Sequence, residues 1–399
     1  MTESSTQSSP AEIIVVGHDS ASLPTRKRNL EVEAVDVRLL RTIADIVPAD
    51  QPPISQLGLE TALAAMADAT KAAIAADLDC WHRWCGADNR PALPAQPEDL
   101  VRYINALDAE GKKPATLARR IASVASLHRL VGSAGGLMPT DVPMVRAALK
   151  AVRRRRGARQ RQAAPLRLGK SLDKRTVTGF TLIALLDACG DDLQGLRDAA
   201  LLSLGYDAGL RVSELSRVEA QHLDRQDDGS ATLFIPLSKT DQDQEGAWAW
   251  LSPDTVRRVR AWLDASAIED GPIFRRVGVD RRRMKGRDDT ATTPQPTYSI
   301  GRSALTRQGV NGIYRRIALA AVEEGSVSVL PGKLLEAIQA LSTHSLRVGL
   351  TQDLFAAGED GVGIAQALRW SSPATALRYG RKLAVRSNVA ARVLSRLRR

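Results

Sequence analysis

Four successive runs between Ser55 and Arg156 return an apolar residue every three or four positions. That period belongs to helices that bury one face. Leu57, Leu59, Leu63 and Met66 lead into Ile74, Leu78, Trp81 and Trp84. Pro97-Glu98-Asp99 places a proline and two acids where a helix begins, followed by Leu100, Val101, Ile104 and Leu107. A third run carries Leu117, Ile121, Val124, Leu127 and Leu130 after Pro114. The fourth, Asp141 to Arg156, carries Val142, Val145, Leu149 and Val152. Short loops between four such helices make a small bundle the arrangement that buries every stripe. The pattern then stops at Arg153-Arg154-Arg155-Arg156, with Arg159, Arg161 and Arg167 behind it. Arginines this dense repel one another unless a polyanion neutralises them. The chain therefore reads as two units joined by a basic linker.

The expected boundaries are a helical unit at 54–156, the linker at 157–172 and a second unit at 173–399. Residues 1–53, polar and broken by Pro10, Pro24, Pro48, Pro52 and Pro53, are expected to be a disordered extension with room for one short helix at Val35–Ile46. The second unit is expected to be mostly helical, at Val177–Cys189, Leu193–Ala208 and Arg211–Ala220. Ala231–Leu237 and Gly246–Leu251 read as paired strands. The polar hairpin Ser238–Glu245 between them has Lys239 at its base. Val277 to Ser299, rich in Pro, Thr and Arg, is expected to be the least structured loop of this unit. Helices follow at Arg302–Glu324, Lys333–Leu341, Ser345–Ala357, Gly361–Leu368 and Pro373–Tyr379. A tail helix at Ala384–Arg398 carries the stripe Val385, Val389, Val393 and Leu397. The fold class is mainly α with a small antiparallel β-sheet: a four-to-five-helix N-terminal domain plus an α+β domain.

A net charge of +11 points to a polyanionic partner. Aromatic residues are only 4% of the chain, too few for a platform that stacks single-stranded bases. No apolar run is long enough to span a bilayer, and the amino terminus lacks a signal-peptide layout. Cys80, Cys85 and Cys189 have no metal-ligand spacing. They read as reduced thiols of a cytoplasmic, nucleoid-associated protein, with no metal and no other cofactor.

The chemistry lies in residues that look ordinary one at a time. Arg211 and Glu214 stand three apart, the spacing of a helix ion pair. His344 and Arg347 share one face near a helix start, where backbone N–H groups also favour an anion. Tyr379 follows Trp370 by nine residues, and either alone would read as core. Together they supply what phosphodiester cleavage needs: a nucleophile, guanidinium forks for the non-bridging oxygens, and an acid for the leaving oxygen. The specificity is in the ordered set G-L-R-V-S-E-L, hairpin lysine, H-S-L-R-V-G, then W and Y.

This set resembles the tyrosine recombinase (phage integrase) family, and within it the Cre-like members most closely. The resemblance covers Ser55 to Arg399. It implies that Tyr379 forms a 3′-phosphotyrosine bond, that Arg211 and Arg347 clamp the scissile phosphate, and that Lys239 is the general acid. It further implies that His344 positions the site and moves protons. Trp370 would donate its indole N–H to a phosphate oxygen, and Glu214 would orient the groups around it. The implied assembly is a homotetramer on paired double-stranded DNA sites, the C-terminal helix exchanged between protomers. A type IB topoisomerase-like enzyme and a catalytically inactive DNA-binding protein of the same fold are the alternatives. For DNA contact, Lys112, Lys113, Arg119 and Arg120 cluster at the third helix, where they face a groove or form a solvated side. Arg153 and Arg154 belong to the basic segment. Arg307 and Gln308 open a helix and suit base readout or simple exposure.

Overall fold

The computed structural model describes residues 34–49, 54–132, 137–157, 162–169, 179–236, 245–280, 296–330, 332–386, 393–394 and 396–398. They fall into two compact units that divide between Arg161 and Gln162.

The first unit is a helical bundle: α1 (Val35–Ile46), α2 (Gln56–Ala64), α3 (Asp68–Ala87), α4 (Pro97–Ala109), α5 (Pro114–Leu130) and α6 (Pro143–Arg156). Proline at the first turn starts α4, α5 and α6, where its missing N–H is no loss. The first expected run is two helices, because the chain breaks at 65–67. Helix α1 occupies the Val35–Ile46 bounds allowed for it, but it is no part of a disordered extension: Leu39, Ile43 and Ile46 are buried in the bundle core with Leu78, Trp81, Leu100 and Ile104. Its apolar residues recur at three and four, so burying it completes the stripe rule rather than breaking it. Trp81 donates from its indole N–H to the Ala92 carbonyl at 2.9 Å and lies against Trp84 and Tyr103.

The second unit is mostly helical with two small antiparallel sheets, as the fold class anticipates. Its elements begin with α7 (Leu182–Asp187), α8 (Leu193–Asp207) and the short α9 (Val212–Leu215). A three-stranded sheet follows, β1 (Leu223–Arg225), β2 (Ala231–Ile235) and β3 (Ala247–Leu251), with Thr232 opposite Trp250 and Phe234 opposite Trp248. Then come α10 (Pro253–Ser266), the hairpin β4 (Arg275–Asp280) and β5 (Thr297–Ala304), and α11 (Arg307–Glu323). Four helices close the unit: α12 (Leu334–Ala340), α13 (Ser345–Ala357), α14 (Gly361–Ala367) and α15 (Pro373–Arg386). Helix α8 is buried almost throughout and forms the spine of the core. Among the described residues no helix is long and apolar enough to cross a membrane.

Two expectations fail here. The stretch from Val277 to Ser299 is not all loop: both of its ends pair as β4 and β5. Alternation of Val277 and Val279, with Tyr298 opposite, drives the pairing despite the turn-rich composition between. Arg211–Ala220 is not one helix, since α9 stops at Leu215.

The expected linker is in part a packed segment. Residues 162–168 are packed onto the second unit, where Ala164 and Leu166 donate backbone N–H bonds to Ala340 and Ser345. Leu166 is fully buried. Arg167, assigned to a DNA-facing linker, is turned inward and pairs with Asp353 at 2.6 Å. The same carboxylate accepts from the Leu168 N–H and the Tyr206 hydroxyl. Removing one partner of a buried pair strands the other. Asp353→Ala is therefore expected to cost about 3 kcal/mol of stability in urea denaturation. A loss under about 1 kcal/mol would mean that burial of Leu166 alone holds this segment.

Candidate active site

The turn after α8, the short α9, helix α13, the segment after α14 and helix α15 bring the expected residues together. Helix α8 ends at a turn in which Gly209 has φ +53°, and a side chain there would overlap Leu368. Only glycine suits both demands. The turn aims successive carbonyls, Ala208 and Gly209, toward two arginines. Arg347, on α13, donates from Nη1 to the Gly209 carbonyl at 2.5 Å and from Nη2 to the Leu368 carbonyl at 2.5 Å. It is 1% exposed, so this fork fixes its position. Arg369 donates from Nη2 to the Ala208 carbonyl at 2.9 Å. These carbonyls lie at the C-terminal ends of α8 and α14, where the helix dipole also favours a cation.

Glu214 links the arginines. Its Oε1 accepts from Arg211 Nη1 at 2.7 Å and its Oε2 from the Arg211 backbone N–H at 2.9 Å. Oε2 also lies 3.9 Å from Arg347 Nη1 and 3.7 Å from Arg369 Nη2. Burial pushes this carboxyl up. The Arg211 bonds and the Arg347 charge outweigh it and hold Glu214 below the ordinary carboxylate value. Burial pushes the Arg347 guanidinium down to about 9, with Arg211 acting the same way and Glu214 opposing. Arg347 is thus still charged at neutral pH.

The aromatic pair completes the group. The Trp370 ring stacks on Tyr379 with centroids 5.2 Å apart and planes 12° from parallel. The Arg347 guanidinium sits 5.1 Å from the Trp370 ring centre. Helix α15 carries Tyr379 and kinks at Gly380, where a side chain would overlap Phe355. His344 precedes α13 as its N-cap. The residue is exposed, but partial desolvation of the ring lowers its pKa, and the charges of Arg347, Arg307 and Arg211 lower it further. The imidazole is therefore neutral near pH 7, with one nitrogen free to accept a proton.

Of the expected site residues, Arg211, Glu214, His344, Arg347, Trp370 and Tyr379 lie in this group. Lys239 falls in 237–244, outside the described residues. Arg369 is the residue that sequence reading passed over. It sits beside Trp370, but no spacing rule marks it.

Among the expected DNA contacts, Lys112, Lys113, Arg153, Arg154, Arg307 and Gln308 are exposed. Arg307 and Gln308 open α11 behind the Thr306 cap, with Arg307 close enough to His344 to be felt there. Arg119 is half exposed but paired with buried Asp77 at 2.5 Å. Arg120 is turned into the bundle, donating to the Tyr103 hydroxyl at 3.1 Å and lying 3.8 Å from Asp77. Asp77 is 3% exposed and needs such cations, which is why Arg120 does not face outward.

The sequence model of the phage integrase family matches residues 175–385, and that of the phage integrase N-terminal SAM-like domain matches residues 62–135. An integrase/recombinase XerD homologue of Selenomonas ruminantium is 35% identical over 217 residues, covering 53% of this chain and 60% of that protein. The recombinase Cre of Escherichia phage P1 is 27% identical over 320 residues, covering 79% of this chain and 84% of its own length. Among solved structures, the XerH site-specific recombinase bound to a palindromic difH substrate, in a post-cleavage complex, is similar with a TM-score of 0.52. It is 14% identical, and the match covers 90% of this chain and 95% of that one.

Proposed function

The chain belongs to the phage integrase family, and from that premise we propose that it is a site-specific DNA recombinase. It cleaves and rejoins duplex DNA through a 3′-phosphotyrosine bond at Tyr379 and exchanges strands between two sites through a Holliday junction. One observation carries this reading: three guanidinium groups gather on the single carboxylate of Glu214, one of them lying over the ring stacked on Tyr379. That group of four residues is cationic as a whole, which suits a phosphodiester anion.

In this mechanism Arg211 and Arg347 hold the non-bridging oxygens, and the Tyr379 hydroxyl attacks phosphorus. The neutral His344 accepts the tyrosine proton. Lys239 protonates the leaving 5′-oxygen, and Trp370 donates its indole N–H to the phosphate. The bond energy stays in the phosphotyrosine, so the 5′-hydroxyl of the partner strand suffices for ligation. Exposed Lys112, Lys113, Arg119, Arg153, Arg154, Arg307 and Gln308 contact DNA, and Arg120 is set aside because its side chain turns into the bundle toward Tyr103 and Asp77. The working assembly is a homotetramer on paired sites with the C-terminal helix exchanged between protomers.

The test is to incubate the protein with plasmids carrying DNA that flanks its gene, denature the mixture, and map any covalent adduct. Adduct formation at one repeated site, with strand exchange between two copies, is the expected result. Efficient relaxation of a supercoiled plasmid that lacks the site would overturn it in favour of simple nicking and resealing. Binding to the site should also weaken with salt, since each phosphate contact releases counterions. With six to ten such contacts, affinity should fall about 10³–10⁵-fold between 50 and 200 mM salt. A flat response in filter binding would exclude this basic clamp.

A further inference from the structure

Helix α11 joins two parts of the proposed chemistry. Its first turn carries Arg307 and Gln308, both exposed and both suited to base readout. Asn311 stands four and three positions further along, so it shares their face of the helix. Its Oδ1 accepts the backbone N–H of Thr343 at 3.1 Å. Thr343 is 6% exposed and immediately precedes His344, which takes the Tyr379 proton in the proposed mechanism.

The neighbouring N–H groups are satisfied close by. Ser342 donates to the Ser345 hydroxyl at 2.9 Å, and His344 donates to the Ser342 hydroxyl at 3.3 Å. Of these three backbone groups, that of Thr343 alone reaches a different stretch of chain. A buried N–H is costly without an acceptor, so the loop stays in place where α11 presents one. Because the donor is a backbone N–H, the Asn311 amide must turn its oxygen to the loop. Arg307, on the same face of α11, is also near enough for its charge to act on His344.

We propose that Asn311 is a positioning residue that transmits the seating of α11 on DNA to His344. On the correct bases the amide holds Thr343, and the histidine stands ready for the tyrosine proton. A wrong base pair displaces α11, the loop follows, and cleavage slows. Recognition then controls the chemical step as well as binding. This role rests on the recombinase reading.

The test uses the full chain with Asn311→Ala and Asn311→Asp, alongside the parent, on duplex DNA carrying the protein's own site. Single base-pair substitutions whose effect on affinity disappears in Gln308→Ala mark the pairs that α11 reads. At saturating protein those substitutions should slow adduct formation by the parent about tenfold. Asn311→Ala should slow it about 10–100-fold on the correct site and be indifferent to the substitutions. Its site affinity should stay within about twofold of the parent. Its Tm should fall by no more than about 5 °C, since alanine is the better helix former. Asn311→Asp keeps an acceptor and should recover most of the rate. Parent-like cleavage by Asn311→Ala would overturn the proposal. So would a slow variant that still responds to the substitutions, or a larger Tm loss, either of which makes the bond merely structural. A lower affinity with altered base preference would mean direct base contact and would also overturn it. If no substitution marks a pair read by α11, the proposal falls while the recombinase reading stands. If the parent forms no adduct, both fall.

Discussion

Tyr379→Phe is expected to abolish the covalent protein–DNA adduct while leaving recognition of the site intact. The substitution removes one oxygen and keeps the ring. Stacking on Trp370, with centroids 5.2 Å apart, depends on the ring alone and persists. The kink at Gly380 that sets the direction of α15 persists too. Of the other groups in the cluster, arginine and tryptophan side chains are not nucleophilic, Glu214 is committed to arginines, and His344 is assigned to take the tyrosine proton rather than to attack. Adduct formation should therefore fall at least about 10⁴-fold, to background. Affinity should change little, since it comes from phosphate contacts spread along the DNA. End-labelled DNA on a denaturing gel reads the first quantity and a binding titration the second. An adduct that survives in Tyr379→Phe would place the nucleophile elsewhere.

The pattern of what could be read in advance follows from the range of the forces involved. Helices α4, α5 and α6 announce themselves locally, through proline at the first turn and apolar residues at three and four. Helix α1 has the same signature at Val35–Ile46, but prolines on either side made it look isolated. Its burial depends on a bundle surface formed much later in the chain. The hairpin β4–β5 was obscured because turn-rich residues fill the stretch between its strands. Long-range pairing is harder still. Arg167 belongs to an arginine-rich stretch by sequence and to Asp353, 186 positions away, by structure. Arg120 was visible as charge, but the buried carboxylate of Asp77 that claims it was not.

The candidate site divides along the same line. Tyr379, Trp370, Arg347 and Arg211 are recognisable because chemistry restricts which residue types can stand there. Gly209 and Arg369 are set by geometry: a left-handed turn whose carbonyls hold arginines, and a left-handed residue that reaches back to the same turn. Neither leaves a local pattern.

Arg347 joins the two kinds of constraint, and Arg347→Lys should separate them. The guanidinium spans two carbonyls, Gly209 and Leu368, that lie on different segments of the chain. A lysine ammonium keeps the charge but is a compact donor on a flexible stem and cannot bridge both in one plane. One buried carbonyl is then left without its donor, at a cost of about 2 kcal/mol in chemical denaturation. The fork also keeps the positive charge 5.1 Å over Trp370, beside the proposed phosphate position. Losing one preorganised donor at a developing charge typically costs about 10²–10³ in rate. Single-turnover cleavage by Arg347→Lys should therefore drop about 10³-fold, equivalent to about 4 kcal/mol of barrier. The barrier should thus lose more than the fold does. A variant that is destabilised yet cleaves within about fivefold of the parent would make Arg347 a structural tie between α8 and α14. The phosphate clamp would then have to rest on Arg211.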